Sequence, residues 1–154
     1  MSIKSQIITR ILALLEPLIS QGVSIPGRAD VVKLRKVLRK NTVFHLEQIK
    51  PALHLVVGDE QVLDEQEQGY TMTFQLALKI LISEVADAEL IGDELCAFIQ
   101  THIEADQQLG SLVSKITYQG DRPSLNDQGK PDGEIIVDYV VEYRRYRGDP
   151  ARSY

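Results

Sequence analysis

Residues 69–82 read GYTMTFQLALKILI. Tyr70, Met72, Phe74, Leu76, Leu78, Ile80 and Ile82 point one way. Thr71, Thr73, Gln75 and Lys79 point the other way, joined by Ala77 and Leu81. A period of two is the signature of a strand with one buried face. From Tyr70 to Ile82 it spans about 43 Å at ~3.3 Å per residue, whereas strands usually hold only ~5–6 residues. A second strand of similar length is expected from Glu134 to about Arg147. There Ile135, Val137, Tyr139, Val141 and Tyr143 share one face, while Asp138, Glu142 and Arg144 take the other.

The segment between these strands carries helical spacing. Ile91, Leu95, Phe98, Ile99, His102 and Ile103 trace one stripe. Asp87 is placed to accept from the free amides of the first turn, and Glu89 suits the positive end of the helix dipole. Gly110 marks the exit loop. Leu112 to Tyr118 reads as a strand, and Gly120 to Gly133 as a polar loop with Pro123, Pro131 and Gly129. A structureless connection of that length is uncommon in a compact domain and more often functional or mobile.

Upstream, Ile3, Ile7, Ile8, Ile11, Leu12, Leu15, Leu18 and Ile19 predict an amphipathic helix. Pro17 should kink or end it near Glu16, and Gln21 and Gly22 close it. Val23 to Asp30 reads as a loop around Pro26 and Gly27. Val31 to Leu38 fits a strand or a helix face; its β-branched content and shortness favour a strand. Ala52 to Val57 is a strand opened by Pro51 and closed by Gly58 and Asp59. The order predicts an α+β fold: a mostly antiparallel sheet of four to five strands packed against two main helices.

The chain has 154 residues, suiting a single domain over 1–154. Hydrophobic residues make up 44% and charged residues 25%, which argues against disorder. No apolar run is longer than Ile11 to Leu15, far short of the ~20 residues of a membrane span. Residues 1–20 read as a helix rather than a signal peptide, since Arg10 adjoins the apolar run and no small-residue cleavage site follows. The single cysteine, Cys96, excludes an intrachain disulfide and a cysteine zinc site, and points to a reducing compartment. A net charge of −5 does not mark the whole chain as a nucleic-acid binder.

No catalytic motif stands out. His45, His54 and His102 lack metalloenzyme spacing, and His54 and His102 read as core or boundary histidines. Cys96 reads as a buried inert thiol. There is no phosphate-binding Gly-rich loop and no nucleophile elbow. The acid pairs Asp59–Glu60 and Asp64–Glu65 leave a two-carboxylate glycosidase formally open. Trp is absent and aromatics total 6%, so an enzyme reading rests on no positive feature. No cofactor and no metal are expected.

Charge is segregated instead. Arg28, Lys33, Arg35, Lys36, Arg39 and Lys40 cluster, opposed only by Asp30. Asp59, Glu60, Asp64, Glu65 and Glu67 follow with no intervening cation. Arg144, Arg145, Arg147 and Arg152 surround the end of the last strand. Each cluster is either solvated surface or an interface patch that orients a partner. Direct DNA binding by the basic run is the weaker reading, because it lacks interleaved aromatics and a recognition-helix motif.

Several stretches carry a likeness to a known family. They are GYTMTFQLALKILI leading into VADAELIGDELCAFIQTHI, then QQLGSLVSKITYQGD, then the closing IIVDYVVEYRRYRGDP. With the apolar first helix and PALHLVVGDE in order before them, the chain resembles the tail terminator (tail-completion) proteins of long-tailed bacteriophages, the lambda minor tail protein U-like family. Residues 31–49 are more basic than that pattern, and Arg145 stands where such proteins often carry a threonine.

The resemblance implies a structural virion protein without catalytic residues. It implies a six-subunit ring capping the head-proximal end of the tail tube, stopping tube growth and presenting a surface for head joining. The implied partners are further copies of the chain, the tail tube protein and the head-completion or connector protein, with DNA only passing through the lumen and no membrane. Assembly in the host cytoplasm follows. A neck adaptor and the cap of a phage-derived contractile injection particle are alternatives, and a small monomeric binding or regulatory domain is the non-structural one. The three charge clusters are the expected contact residues. Both long strands, 70–82 and 134–147, are expected at the subunit contact, and the 120–133 loop is expected to order on a partner.

Overall fold

The computed structural model describes residues 1–39, 51–82, 87–125 and 131–154. Their elements follow the order α1 (Ile3–Leu15), α2 (Pro17–Ser20), β1 (Val23–Ser24), β2 (Val31–Val32), β3 (Lys36–Arg39), β4 (Ala52–Val57), β5 (Gln61–Glu65), β6 (Gly69–Leu81), α3 (Ala88–Glu104), β7 (Lys115–Leu125) and β8 (Pro131–Tyr146). The fold is α+β. Its main sheet has six strands in the order β3-β4-β6-β8-β7, with β5 also paired to β6. β1 and β2 form a separate antiparallel ribbon. The sheet is therefore larger than the expected four to five strands, and the β3–β4 pair is parallel in an otherwise antiparallel sheet.

The two long strands pair with each other over their whole shared length, from Gly69 opposite Tyr146 to Leu81 opposite Glu134. Their inward sets are buried: Met72, Phe74, Leu76, Leu78 and Ile80 on β6, and Val137, Tyr139, Val141 and Tyr143 on β8. α1 supplies Ile3, Ile7, Ile8, Ile11 and Leu15 to the same core, and α3 supplies Ile91, Leu95, Ile99 and Ile103. Both main helices thus cover one face. On the other, Thr71, Thr73, Ala77 and Lys79 are half-buried and Gln75 is exposed. Ala52, His54 and Leu81, near the β4 end, are buried there. His54 is the core histidine expected.

Local chemistry sets the helix limits. Ser2 caps α1 by accepting from the Ser5 amide at 3.2 Å. Pro17 opens α2 at its first turn, where a missing N–H costs nothing, so the break falls at Glu16 as expected. Gly22 ends it with φ 75°, a backbone shape that favours glycine. Asp87 precedes α3 but makes no side-chain cap; its carboxylate pairs with Arg28 at 3.2 Å instead.

Three further expectations are corrected, and one strand is added. Val31 to Leu38 is not one strand but two short ones, β2 and β3, broken at Lys33 to Arg35. Val23 and Ser24, expected in a loop, form β1. The acidic stretch contains β5, whose five residues are all exposed. Its order comes from backbone pairing to β6 rather than from burial, so no alternation announces it. The polar loop is mostly strand: β7 runs to Leu125, and β8 starts at Pro131. Gly120, at φ 128°, sits in a register shift, and Pro123 is tolerated because β7 lies on the sheet edge. Residues 126–130 of that loop lie outside the described residues.

Gly69 allows a close backbone approach in the sheet. A Cβ there would stand 2.0 Å from the Arg145 carbonyl oxygen and 2.7 Å from the Tyr154 ring. Backbone cannot yield as a flexible side chain does. Gly69→Ala is expected to lower stability by ~1–3 kcal/mol, read from the urea midpoint; an unchanged midpoint would contradict this packing.

Candidate interaction surface

β5 continues the line of β4 along β6. β4 pairs with Leu76 to Leu81, the Gly58 amide donates to the Gln75 carbonyl at 2.8 Å, and β5 pairs with Tyr70 to Thr73. A register shift at Val62/Asp64 leaves Leu63 as the extra residue. The turn closes with mutual backbone bonds between Gln66 and Gly69. Together β5, the start of β6 and the end of β8 form a three-stranded tip.

The tip brings two of the three charge clusters together. Arg147 binds Glu65 at 2.6 Å and the Tyr70 hydroxyl at 2.8 Å, and lies 4.8 Å from the Tyr70 ring centre. Arg145, half-buried, lies 5.2 Å from the same ring. On the opposite face Arg144 lies 5.8 Å from the Tyr154 ring, and Arg152 lies 5.1 Å from Tyr146. These are cation–π distances. Tyr143, buried, donates to the Glu60 carboxylate. Burial first, and then that carboxylate, push the Tyr143 hydroxyl well above its ordinary range. Part of the sequence's charge segregation is thus satisfied within the chain. Asp59, Asp64 and Glu67 are exposed and form no ion pair among the described residues, although Asp64 accepts from the Gln66 amide at 3.3 Å.

The basic run lies at the other end of the sheet. β3 pairs with Ala52 to Leu55, level with Leu78 to Leu81 of β6, about 25 Å from β5 at ~3.3 Å per residue. Lys33, Arg35, Lys36 and Arg39 are exposed there. Arg28 is mostly covered and bridges Asp87 and Asp30. Lys40 lies outside the described residues. The helix-free face between the two ends holds two shallow depressions of about 340 and 310 Å³ that share Gln75 and Val140. Arg122 and Asp138, paired at 3.2 Å, line the larger.

β6 and β8, expected to lend their own edges to a neighbour, are interior strands. β6 is flanked by β8 on one side and by β4 and β5 on the other, and β8 is flanked by β6 and, up to Glu142, by β7. The sequence reading also missed Val62 and Leu63, 55% and 57% exposed on β5. Two adjacent apolar residues inside an acidic run were the available signal. Tyr70, Tyr146 and Tyr154 were missed as arginine partners, because that role depends on the β6–β8 register.

Among the described residues, no three His, Cys, Asp or Glu side chains converge as a metal site requires. Cys96 is 4% exposed, and burial, aided by Asp121 and Asp93, pushes its thiol up to about 12. His102 stacks on Phe98 with ring centres 3.7 Å apart, and its Nδ1 contacts the Phe98 carbonyl at 2.9 Å. No described helix is long and apolar enough to cross a membrane. No family model matches the chain, and no curated protein matches it.

Two outcomes follow. Tyr143→Phe should cost ~0.5–1.5 kcal/mol in chemical denaturation, and Glu60→Gln, which keeps an acceptor, should cost less; equal stability of Tyr143→Phe and the parent would deny the bond. Cys96 should resist iodoacetamide at pH 8 in the folded chain and react fully in denaturant. A folded thiol raised from 9.0 to about 12 contributes stability that is complete below about pH 9 and is lost as pH climbs toward 12.

Proposed function

We propose that this chain is a non-enzymatic structural subunit that assembles into a ring capping the head-proximal end of a phage tail tube, ending tube growth and presenting a surface for the head connector. What carries the reading, beside the resemblance in element order, is the distribution of charge and exposure over one sheet. An acidic, apolar-tipped edge stands at one end and an exposed cationic strip at the other.

A stack of identical rings stops only when the last ring presents a face that no further subunit matches. That requires unlike axial faces and a contact that repeats around the axis rather than closing on itself as a pair. Ends of opposite charge supply such unlikeness, and exposed charges orient partners more than they add affinity. On this reading the Lys33 to Arg39 strip meets the tube or the connector. The helix-free face, with its paired Arg122 and Asp138, offers shallow polar relief rather than a closed pocket for a small ligand.

Images of the purified chain, alone or with tube protein, should show annular particles of about six copies, and phage lacking the chain should make abnormally long tails. Normal-length tails that fail to join heads would favour a neck adaptor, and a persistent monomer with normal tails would overturn the cap.

A further inference from the structure

We propose that copies of the chain join through the β5 edge of one and the arginine-bearing β8 end of the next. The proposal rests on the ring reading and names the contact that closes it.

β5 is bonded to β6 on one side only, and no described strand covers its other side. It exposes Val62 and Leu63, where edge strands are usually protected by charge, brevity or a bulge. β5 has a bulge and flanking acids, yet its two apolar side chains remain in solvent. The acids also decide the occupant. Pairing of β5 with its own copy would set Asp59, Asp64 and Glu67 against the same carboxylates, and like charges brought face to face are disfavoured. The complement must be cationic.

Two cationic surfaces are available. β3 lies on the same side of β6 as β5, so a β5–β3 contact would be satisfied twice in a two-fold pair and would close as a dimer. The β8 end lies on the opposite side of the tip. β7 stops pairing at Glu142, where the Ser114 amide donates to the Glu142 carbonyl at 2.8 Å. On the side away from β6, residues 143–145 therefore have no described strand, and above them the Tyr146 amide is closed by Arg152. This gap lies level with Tyr70 to Met72 of β6, the level at which β5 pairs on the opposite side. Arg144 and Arg152 are exposed there.

Two complementary edges at one height, facing opposite ways, give a head-to-tail contact, which generates a ring when its rotation closes. β5 and β8 both run antiparallel to β6, so the two meeting edges run parallel when successive copies stand upright in the ring.

The test uses the full chain, in which Cys96 is buried. Val62→Cys and Arg144→Cys variants, each purified alone and then mixed, are treated with a short bismaleimide. Cross-linked dimer is expected in the mixture and not from either variant alone, and the double variant is expected to ladder to the ring's copy number. Cross-linking of Val62→Cys with itself, or with Lys36→Cys in place of Arg144→Cys, would overturn the proposed contact. As a second arm, Asp64→Arg with Glu67→Arg should reduce the ring fraction about tenfold or more, and adding Arg144→Glu with Arg152→Glu should restore it. Rings that form normally with neither cross-link nor charge effect would sink this contact and leave the cap reading standing. Absence of rings under every condition, with normal tails, would sink both.

Discussion

The ladder between β6 and β8 is the constraint on which the rest of the molecule depends. Its register, from Gly69 opposite Tyr146 to Leu81 opposite Glu134, places every inward apolar residue of both strands on the helix side. A slip of one residue would turn one strand's apolar set to the other face. The same register brings Tyr70 opposite Arg145 and lays the C-terminal Tyr154 over Gly69. Core packing and surface chemistry are therefore set by one alignment. The absence of a side chain at Gly69 is what lets the tip close around it.

The tip changes how the charge clusters are understood. Glu65 and Glu60 are engaged by Arg147 and Tyr143, so they belong to the architecture of the tip. Asp59, Asp64 and Glu67 are the members of the acidic cluster that form no ion pair among the described residues. Exposed ion pairs contribute little to folding by themselves. Cations stacked on tyrosines hold side-chain positions more firmly than charge alone, and arginine suits such stacking better than lysine. All four cations at the tip are arginines; lysines occur in the β3 strip at the far end.

What the sequence revealed followed burial. The alternation of residues 70–82 and 135–143, the α3 stripe, the Ala52 to Val57 strand and the break before Pro17 were all readable, because each has one side in the core. β5 was not, since Gln61 to Glu65 bury nothing and are ordered by backbone bonds to β6. The run from Gly120 looked like a loop because glycine and proline are usual loop residues; in an edge strand they mark a bulge and a position that need not donate. The charge clusters were visible as composition. Their division into engaged and free members was not, since it depends on pairs far apart in sequence, such as Arg147 with Glu65.

β8 is the last strand in chain order, yet it lies between β6 and β7. During synthesis on the ribosome, both neighbours emerge before the strand that joins them. Until it inserts, β6 lacks its main partner, with Phe74, Leu76 and Leu78 left without the strand that completes their core. Contacts this distant in sequence form slowly, and an unpaired apolar strand is where nascent chains associate wrongly. Maturation of this protein thus hinges on β8, and loss of that strand removes the middle of the sheet rather than its margin.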